Sequence, residues 1–334
     1  MSAPKQALVQ VKDAACWFDV SPPLLERLVY RKPKVNLRAV DGVSFTLNKG
    51  ETLALVGESG CGKSTVARLL TGLYSLTRGE IVFDGQSLQT MDKASQKAMR
   101  KRRQMIFQDP YASLNPRWRV GRIIAEPLVT HTDMSSAQQE AKVAELLTQV
   151  GLNPSDAQRY PHQFSGGQRQ RISIARALAL QPEFIVCDEP TSALDVSVQA
   201  QVLNLMKDLQ RELGLTYLFI SHNLAVVHHV ADRVGVMYLG RIVEIAPRDD
   251  LFAQPRHPYT RMLLGAIPDM NGAGKSRIPV AGEVPNPLNP PSGCTFHPRC
   301  PLANDRCRRE APALLQTGQH EVACHAVEEG RDQA

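Results

Sequence analysis

No stretch of this chain stays apolar long enough to cross a bilayer, so any membrane role is expected to be peripheral. The first ten residues, Met1 to Gln10, have polar residues throughout and lack the apolar core of a secretion signal, which points to the cytoplasm. No internal repeat is evident. No large charge excess dictates a partner either: a net charge of +6 over 334 residues is compatible with a membrane surface, with nucleic acid, or with neither. The densest basic run, Arg100-Lys101-Arg102-Arg103, follows Lys93 and Lys97 in a stretch that reads as helix. It is expected to form a solvated helix face.

What is present is the composition of an ordinary globular protein, 43% hydrophobic and 22% charged, in a chain long enough for two domains. The seven cysteines are unevenly placed. Cys16, Cys61 and Cys187 are scattered, whereas Cys294, Cys300, Cys307 and Cys324 crowd into the tail. In a cytosolic protein such a cluster argues for metal rather than disulfides.

Hydrophobic patterning predicts an α/β fold with a mainly parallel sheet. Residues 8–55 read as short strands, with Val43 to Leu47 alternating as a half-buried strand and Asp41-Gly42 as a turn before it. A loop is expected between Asp19 and Asn36. Leu53-Ala54-Leu55-Val56 is a continuous apolar run, the pattern of a strand buried on both faces. Helical spacing follows over Thr65 to Leu73, and a largely helical region is expected from about 91 to 163. Strands return at 184–187 and 217–220 with a helix over 198–213 between them. Pro285, Pro287, Pro290 and Pro291 interrupt any long element in the tail. A boundary near residue 260 is expected, with the main domain over 1–260 and a small irregular one over 261–334.

The chemistry begins directly after the buried run, at Gly57-Glu58-Ser59-Gly60-Cys61-Gly62-Lys63-Ser64-Thr65. Glycines let backbone N–H groups curl around phosphate oxygens, and the following helix presents its positive end. Lys63 is expected to reach the β- and γ-phosphates and Ser64 to ligate Mg²⁺. A chance glycine turn is the bland alternative; the length and context of the pattern argue against it. Asp188 and Glu189 end the apolar strand 184–187. Downstream of a phosphate loop, an acid there holds Mg²⁺ and the next one polarises the attacking water. In isolation two such acids would merely be a solvated turn.

Between these two segments lies Phe164-Ser165-Gly166-Gly167-Gln168-Arg169-Gln170-Arg171, and here the chain resembles the ATP-binding cassette ATPases. Ser165-Gly166-Gly167-Gln168 looks like the family signature, Gln108 like the Q-loop glutamine, Ser192-Ala193-Leu194-Asp195 like the D-loop, and His222 like the switch histidine. The resemblance covers roughly residues 8 to 250. It implies that Ser165, Gly166, Gly167 and Gln168 bind the γ-phosphate held on a partner subunit. It also implies that His222 steadies the attacking water, that Gln108 senses Mg²⁺ and water, and that Asp195 links the halves of a dimer. An aromatic residue stacks on adenine in this family; the position offers Phe18, with Trp17 beside it, where tyrosine is commoner. Each ATP site then needs two cassettes, so the chain is expected to dimerise.

Phe107-Gln108-Asp109-Pro110-Tyr111-Ala112-Ser113-Leu114-Asn115-Pro116-Arg117, Arg256-His257-Pro258-Tyr259-Thr260, and Gly282 to Cys294 narrow the resemblance to the ATPase subunits of bacterial dipeptide and oligopeptide importers, the second or F-type subunit in particular. That resemblance implies a sister ATPase as heterodimer partner (a homodimer being the alternative), two membrane permeases, an external peptide-binding protein, and a place on the cytoplasmic face of the cell membrane. Relatives serving nickel or other solutes leave cargo open, and a soluble cassette ATPase acting on nucleic acid is the rival; the lack of a second cassette or long coiled coil counts against it. The tail spacing Cys294-x5-Cys300-x6-Cys307-x16-Cys324 lacks the tight pair of a zinc site. The importer resemblance implies a [4Fe–4S] cluster there, ranked above unliganded thiols and above zinc.

Overall fold

The computed structural model describes residues 6–30, 33–266 and 282–333. Two long antiparallel strands, β1 (Ala7–Asp19) and β2 (Asn36–Asn48), open it, joined through a short helix α1 (Leu24–Tyr30) where the sequence predicts only a loop. Asp41-Gly42 is not a turn. Both residues lie inside β2, where Gly42 takes φ +83° and the register against β1 shifts, so the pair makes an irregularity in a continuous strand. The edge of this smaller antiparallel sheet is completed by β4 (Arg78–Phe83) and β5 (Gln86–Ser87), in the order β2-β1-β4-β5.

The larger sheet is built on β3 (Thr52–Val56), reached straight from β2 and buried at every residue. Its helix α2 (Lys63–Leu70) ends earlier than the apolar spacing predicts, because Gly72 turns the chain at φ +75°. Helix α3 (Lys93–Arg102) runs into β6 (Arg103–Ile106), a strand inside the region expected to be helical. The helices proper of that region follow: α4 (Pro110–Ser113), α5 (Val120–His131), α6 (Ser136–Gln149) and then α7 (Gly166–Leu178). Strand β7 (Phe184–Asp188), helix α8 (Val196–Leu213) and strand β8 (Thr216–Ile220) match their sequence patterns closely. After α9 (Leu224–Val230) come β9 (Arg233–Tyr238), β10 (Arg241–Pro247), α10 (Arg248–Ala253) and α11 (Pro258–Gly265). The tail adds β11 (Leu315–Thr317) and β12 (His320–Val322), which extend the same sheet to the order β11-β12-β10-β9-β3-β8-β7-β6.

Strands β9, β3, β8, β7 and β6 pair in parallel, and the β10 side is antiparallel. Side chains alternate faces along a strand, so each central strand feeds two cores. Ala54, Val56, Ile185, Cys187, Tyr217 and Phe219 pack against the helices of the 110–213 region. Leu53, Leu55, Phe184, Val186, Leu218 and Ile220 pack toward α2 and the smaller sheet. A strand buried on both faces needs an unbroken apolar sequence, which is why these three were readable.

The basic run departs from expectation. Lys93, Lys97 and Arg100 face solvent, but Arg103 is buried, with Nη1 donating to the Leu70 carbonyl at 2.6 Å. Arg102 bridges Asp84 at 2.6 Å and Glu183 at 2.9 Å and lies over the Phe83 ring. Two of the four cations thus pin β6 and α3 to the end of α2 and to the residues flanking β4 and β7, a use that a charge count cannot distinguish from solvation.

Candidate nucleotide site

The carboxyl ends of β3, β7 and β8 lie side by side, and open parallel sheets place ligands at that end. The 57–62 loop joins β3 to α2 there. Gly62, the residue capping α2, adopts φ +107°, and a Cβ on it would stand 2.2 Å from the Ala39 carbonyl oxygen. Only glycine lets the loop approach β2 so closely. Lys63 is 6% exposed; its ammonium donates to the carbonyls of Gly57 at 2.7 Å and Glu58 at 3.0 Å, with Cys61 Sγ at 3.6 Å. Ser59 and Gly60 form the exposed crest, and Thr65 lies in the first turn of α2, its N–H bonded to the Gly62 carbonyl.

Ser64 Oγ donates to Asp188 Oδ1 at 3.0 Å, bringing the serine and the strand-end acid together across 124 residues of chain. Burial pushes the Asp188 carboxyl up from its ordinary value, the Ser64 hydroxyl opposes this, and the adjacent Glu189 charge adds to it. Hard oxygen donors gathered beside a phosphate loop suit Mg²⁺. Glu189 sits at φ +47°, a conformation uncommon for a residue with a side chain, and its N–H donates to the Ile220 carbonyl at 3.0 Å. Its carboxylate is held from two sides. Gln108 Nε2 donates to Oε2 at 2.9 Å, and His222 Nδ1 lies 3.1 Å from Oε1. Three segments, after β6, β7 and β8, therefore converge on one carboxylate.

The signature residues stand elsewhere, at the start of α7. Ser165 Oγ accepts from the Gln168 N–H at 3.3 Å while Gln168 Oε1 accepts from the Ser165 N–H at 3.0 Å, a reciprocal cap. Gly166 lies against Leu194, and Gly167 packs so tightly on α8 that a Cβ would stand 2.3 Å from Val198 Cγ1. Asp195 stands exposed at the N-cap position of α8, its side chain making no capping bond, next to Val196, which is 84% exposed. Phe18 is half-buried and makes an edge contact with Tyr74, ring centroids 5.2 Å apart. Trp17, on the opposite face of β1, lies under the Arg38 guanidinium. The β2 register partner of Phe18 is Leu37, two residues before the Ala39 carbonyl that Gly62 touches, so the aromatic lies near the loop's flank.

In the tail, Cys307 and Cys324 are buried, Cys294 and Cys300 half-buried, and all four are free thiols. Burial raises Cys294 and Cys300 to about 11, and the neighbouring tail thiols push in the same direction. Among the described residues, no three His, Cys, Asp or Glu side chains are grouped to hold a single metal ion.

Two residues at the loop carried no motif-level signal of their role. Tyr259, within one of the importer-type segments, accepts from the Glu58 N–H at 3.0 Å through its hydroxyl. Arg299, between the expected cluster cysteines, pairs with the Glu58 carboxylate at 2.8 Å.

A nucleotide loop, a strand-end acid pair, and a glutamine and histidine facing each other across the second acid define a cassette ATPase. Comparison with known proteins agrees: residues 40–192 match the family model described as ABC transporter, and residues 243–307 match that described as oligopeptide/dipeptide transporter, C-terminal region. The chain belongs to the ATP-binding proteins of the ABC transporter family. It is 51% identical over 329 residues to the oligopeptide transport ATP-binding protein AppF of Bacillus subtilis, covering 97% of this chain and 98% of that one. It is 53% identical over 328 residues to the dipeptide transport ATP-binding protein DppF of Escherichia coli, covering 97% and 96%. Among solved structures, the dimeric post-hydrolysis state of the ATP-binding cassette MJ0796, bound to ADP and Pi, superposes with TM-score 0.63 at 26% identity, covering 72% of this chain and 99% of that one. ATP hydrolysis is the activity of this family, and no helix among the described residues is long and apolar enough to cross a membrane.

Proposed function

We propose that this chain hydrolyses ATP to power uptake of di- and oligopeptides through a membrane transporter. It would work as a dimer with a second cassette subunit, docked on two permeases at the cytoplasmic face of the cell membrane. The observation that carries the hydrolytic reading is the Glu189 carboxylate, gripped by Gln108 and His222 beside Lys63 and Ser64. Lys63 supplies a cation to the β- and γ-phosphates. Ser64 and Asp188, with Gln108 alongside, would hold Mg²⁺, which would supply positive charge beside the phosphates. Glu189 accepts the proton of the attacking water, and His222 orients that water and the γ-phosphate. Ser165 and the Gly166 and Gly167 amides, at the positive end of α7, serve the site of the partner cassette. Phe18 flanks the adenine. Asp195 and the exposed Val196 face the dimer partner.

The peptide reading rests on the tail segment 243–307 and on the relatives' shared length. Its test is gentle purification from native membranes, then assay of the recovered assembly in vesicles. Two polytopic subunits, a second cassette and peptide-stimulated hydrolysis are expected. Recovery alone from the soluble fraction, or with nucleic acid, overturns it.

The tail cysteines are proposed to hold a [4Fe–4S] cluster. Cys294 and Cys300 both lie near enough to Cys307 and Cys324 for those thiols to push their pKa up, so all four lie in one neighbourhood, and four thiolates are the usual ligand set of such a cluster. Among the described residues, the tail's own small core is Val322, Cys324 and Ala326 with Leu302 and Val327 packed against them, so a staple fits its size. Cys300→Ser should abolish iron–sulfur absorbance; full iron and colour in that variant remove Cys300 from the ligand set.

A further inference from the structure

Arg299 joins the tail to the phosphate loop. Its side chain is 3% exposed, and its two terminal nitrogens meet both Glu58 carboxylate oxygens, at 2.8 and 3.1 Å. Glu58 is the second residue of the loop, and its carbonyl is one of the two that hold the Lys63 ammonium. Its N–H donates to the Tyr259 hydroxyl, and Arg299 also reaches the Tyr238 hydroxyl at 3.4 Å. Tyr238, Tyr259 and Phe296 pack tilted and edge-on to one another around this point, with ring centroids 4.7 to 5.5 Å apart. The entry to the loop is thus gripped from behind by groups outside the nucleotide motifs.

A carboxylate at the second position of a loop that surrounds a triphosphate repels its ligand, and more strongly where water is scarce. A two-point guanidinium contact cancels that charge and fixes its direction. We propose that Arg299 is a positioning residue for nucleotide: by holding and neutralising Glu58 it sets the affinity of the loop for the triphosphate, so the tail tunes the ATP site of its own chain. This rests on Lys63 marking the triphosphate site, which Lys63→Ala checks separately, since that variant must lose ATP binding whatever Arg299 does.

The experiment is equilibrium titration of the full chain with ATP and ADP in Mg²⁺, alongside steady-state hydrolysis. Arg299→Met should weaken ATP binding about tenfold, the effect of ~1.4 kcal/mol, with ADP, which carries less charge, affected less. KM should rise with kcat little changed, and Arg299→Lys should recover part of the loss. Glu58→Gln should bind ATP at least as tightly as the parent chain, and in that background Arg299→Met should cost less than threefold. The proposal is overturned if Arg299→Met binds ATP as the parent does, or if it weakens ADP as much as ATP. An equal loss in the Glu58→Gln background, or weaker ATP binding by Glu58→Gln alone, overturns it too.

Discussion

Replacing Glu189 by glutamine removes one charge and almost no volume. The parent carboxylate accepts from Gln108 Nε2 at 2.9 Å and faces His222 Nδ1 at 3.1 Å, so the amide keeps one acceptor in place and can donate where the other stood. The backbone is unaffected, since the φ of +47° and the N–H bond to Ile220 do not depend on the side-chain charge. What disappears is the acceptor for the proton of the attacking water. General-base contributions run about 10² to 10⁴, so turnover should fall by about a thousandfold, or ~4 kcal/mol of barrier. Binding should not fall with it. Lys63 and Ser64 are untouched, and Asp188, whose carboxyl is raised partly by the Glu189 charge, becomes easier to ionise and so a better Mg²⁺ ligand. ATP affinity in Mg²⁺ should therefore hold or tighten. The assay pairs phosphate release with equilibrium ATP binding on the same preparation. Turnover within about threefold of the parent would remove Glu189 from the base position. Loss of binding together with turnover would instead make it a structural residue.

Gly167→Ala should press its methyl into Val198 and lift α7 from α8, costing about 1–3 kcal/mol in stability and lowering hydrolysis; the added substitution Val198→Ala should restore both, and failure to restore either refutes the steric account. His257 is fully buried and burial holds it down to about 4, with its Nδ1 accepting from the Tyr259 N–H and Glu244, Arg261 and His320 nearby. The unfolded chain protonates near pH 6.5, so between about 6.5 and 4 it binds more protons than the folded one, and stability is lost as pH falls through that window, by up to ~3 kcal/mol. Thermal melts from pH 7.5 to 5 should show this slope, and His257→Asn, which keeps a capping oxygen, should flatten it; an unchanged slope assigns the effect to other groups.

The sequence disclosed those parts of the molecule in which a short segment carries its own instruction. β3, β7 and β8 are buried on both faces, so each is one apolar run. The Gly57–Thr65 loop and the Ser165–Gln168 cap are local geometries with local residue requirements. Strand β6 was hidden because it is four residues long and begins with a buried arginine whose charge is met by the distant Leu70 carbonyl. Asp41-Gly42 reads as a turn in isolation, and only pairing with β1 makes it an irregularity within a strand. The Arg299–Glu58 contact spans 241 residues, and no periodicity or motif spacing encodes a pair that far apart. The tail's docking through β12 and the buried Glu244–His320 pair was hidden for the same reason.

The central strand has a consequence for how the molecule comes off the ribosome. β3 is complete by residue 56, but both its neighbours, β8 and β9, are made only between residues 216 and 238. The loop that follows β3 rests on the Ala39 carbonyl, which is early, and on the Met237 carbonyl, which is late. A nascent chain shorter than this holds every residue of the phosphate loop without the frame that shapes it. Such long-range pairing is slow, and the apolar strands wait exposed until it is done. Nucleotide can therefore chaperone this protein only after the last of the parallel strands has emerged.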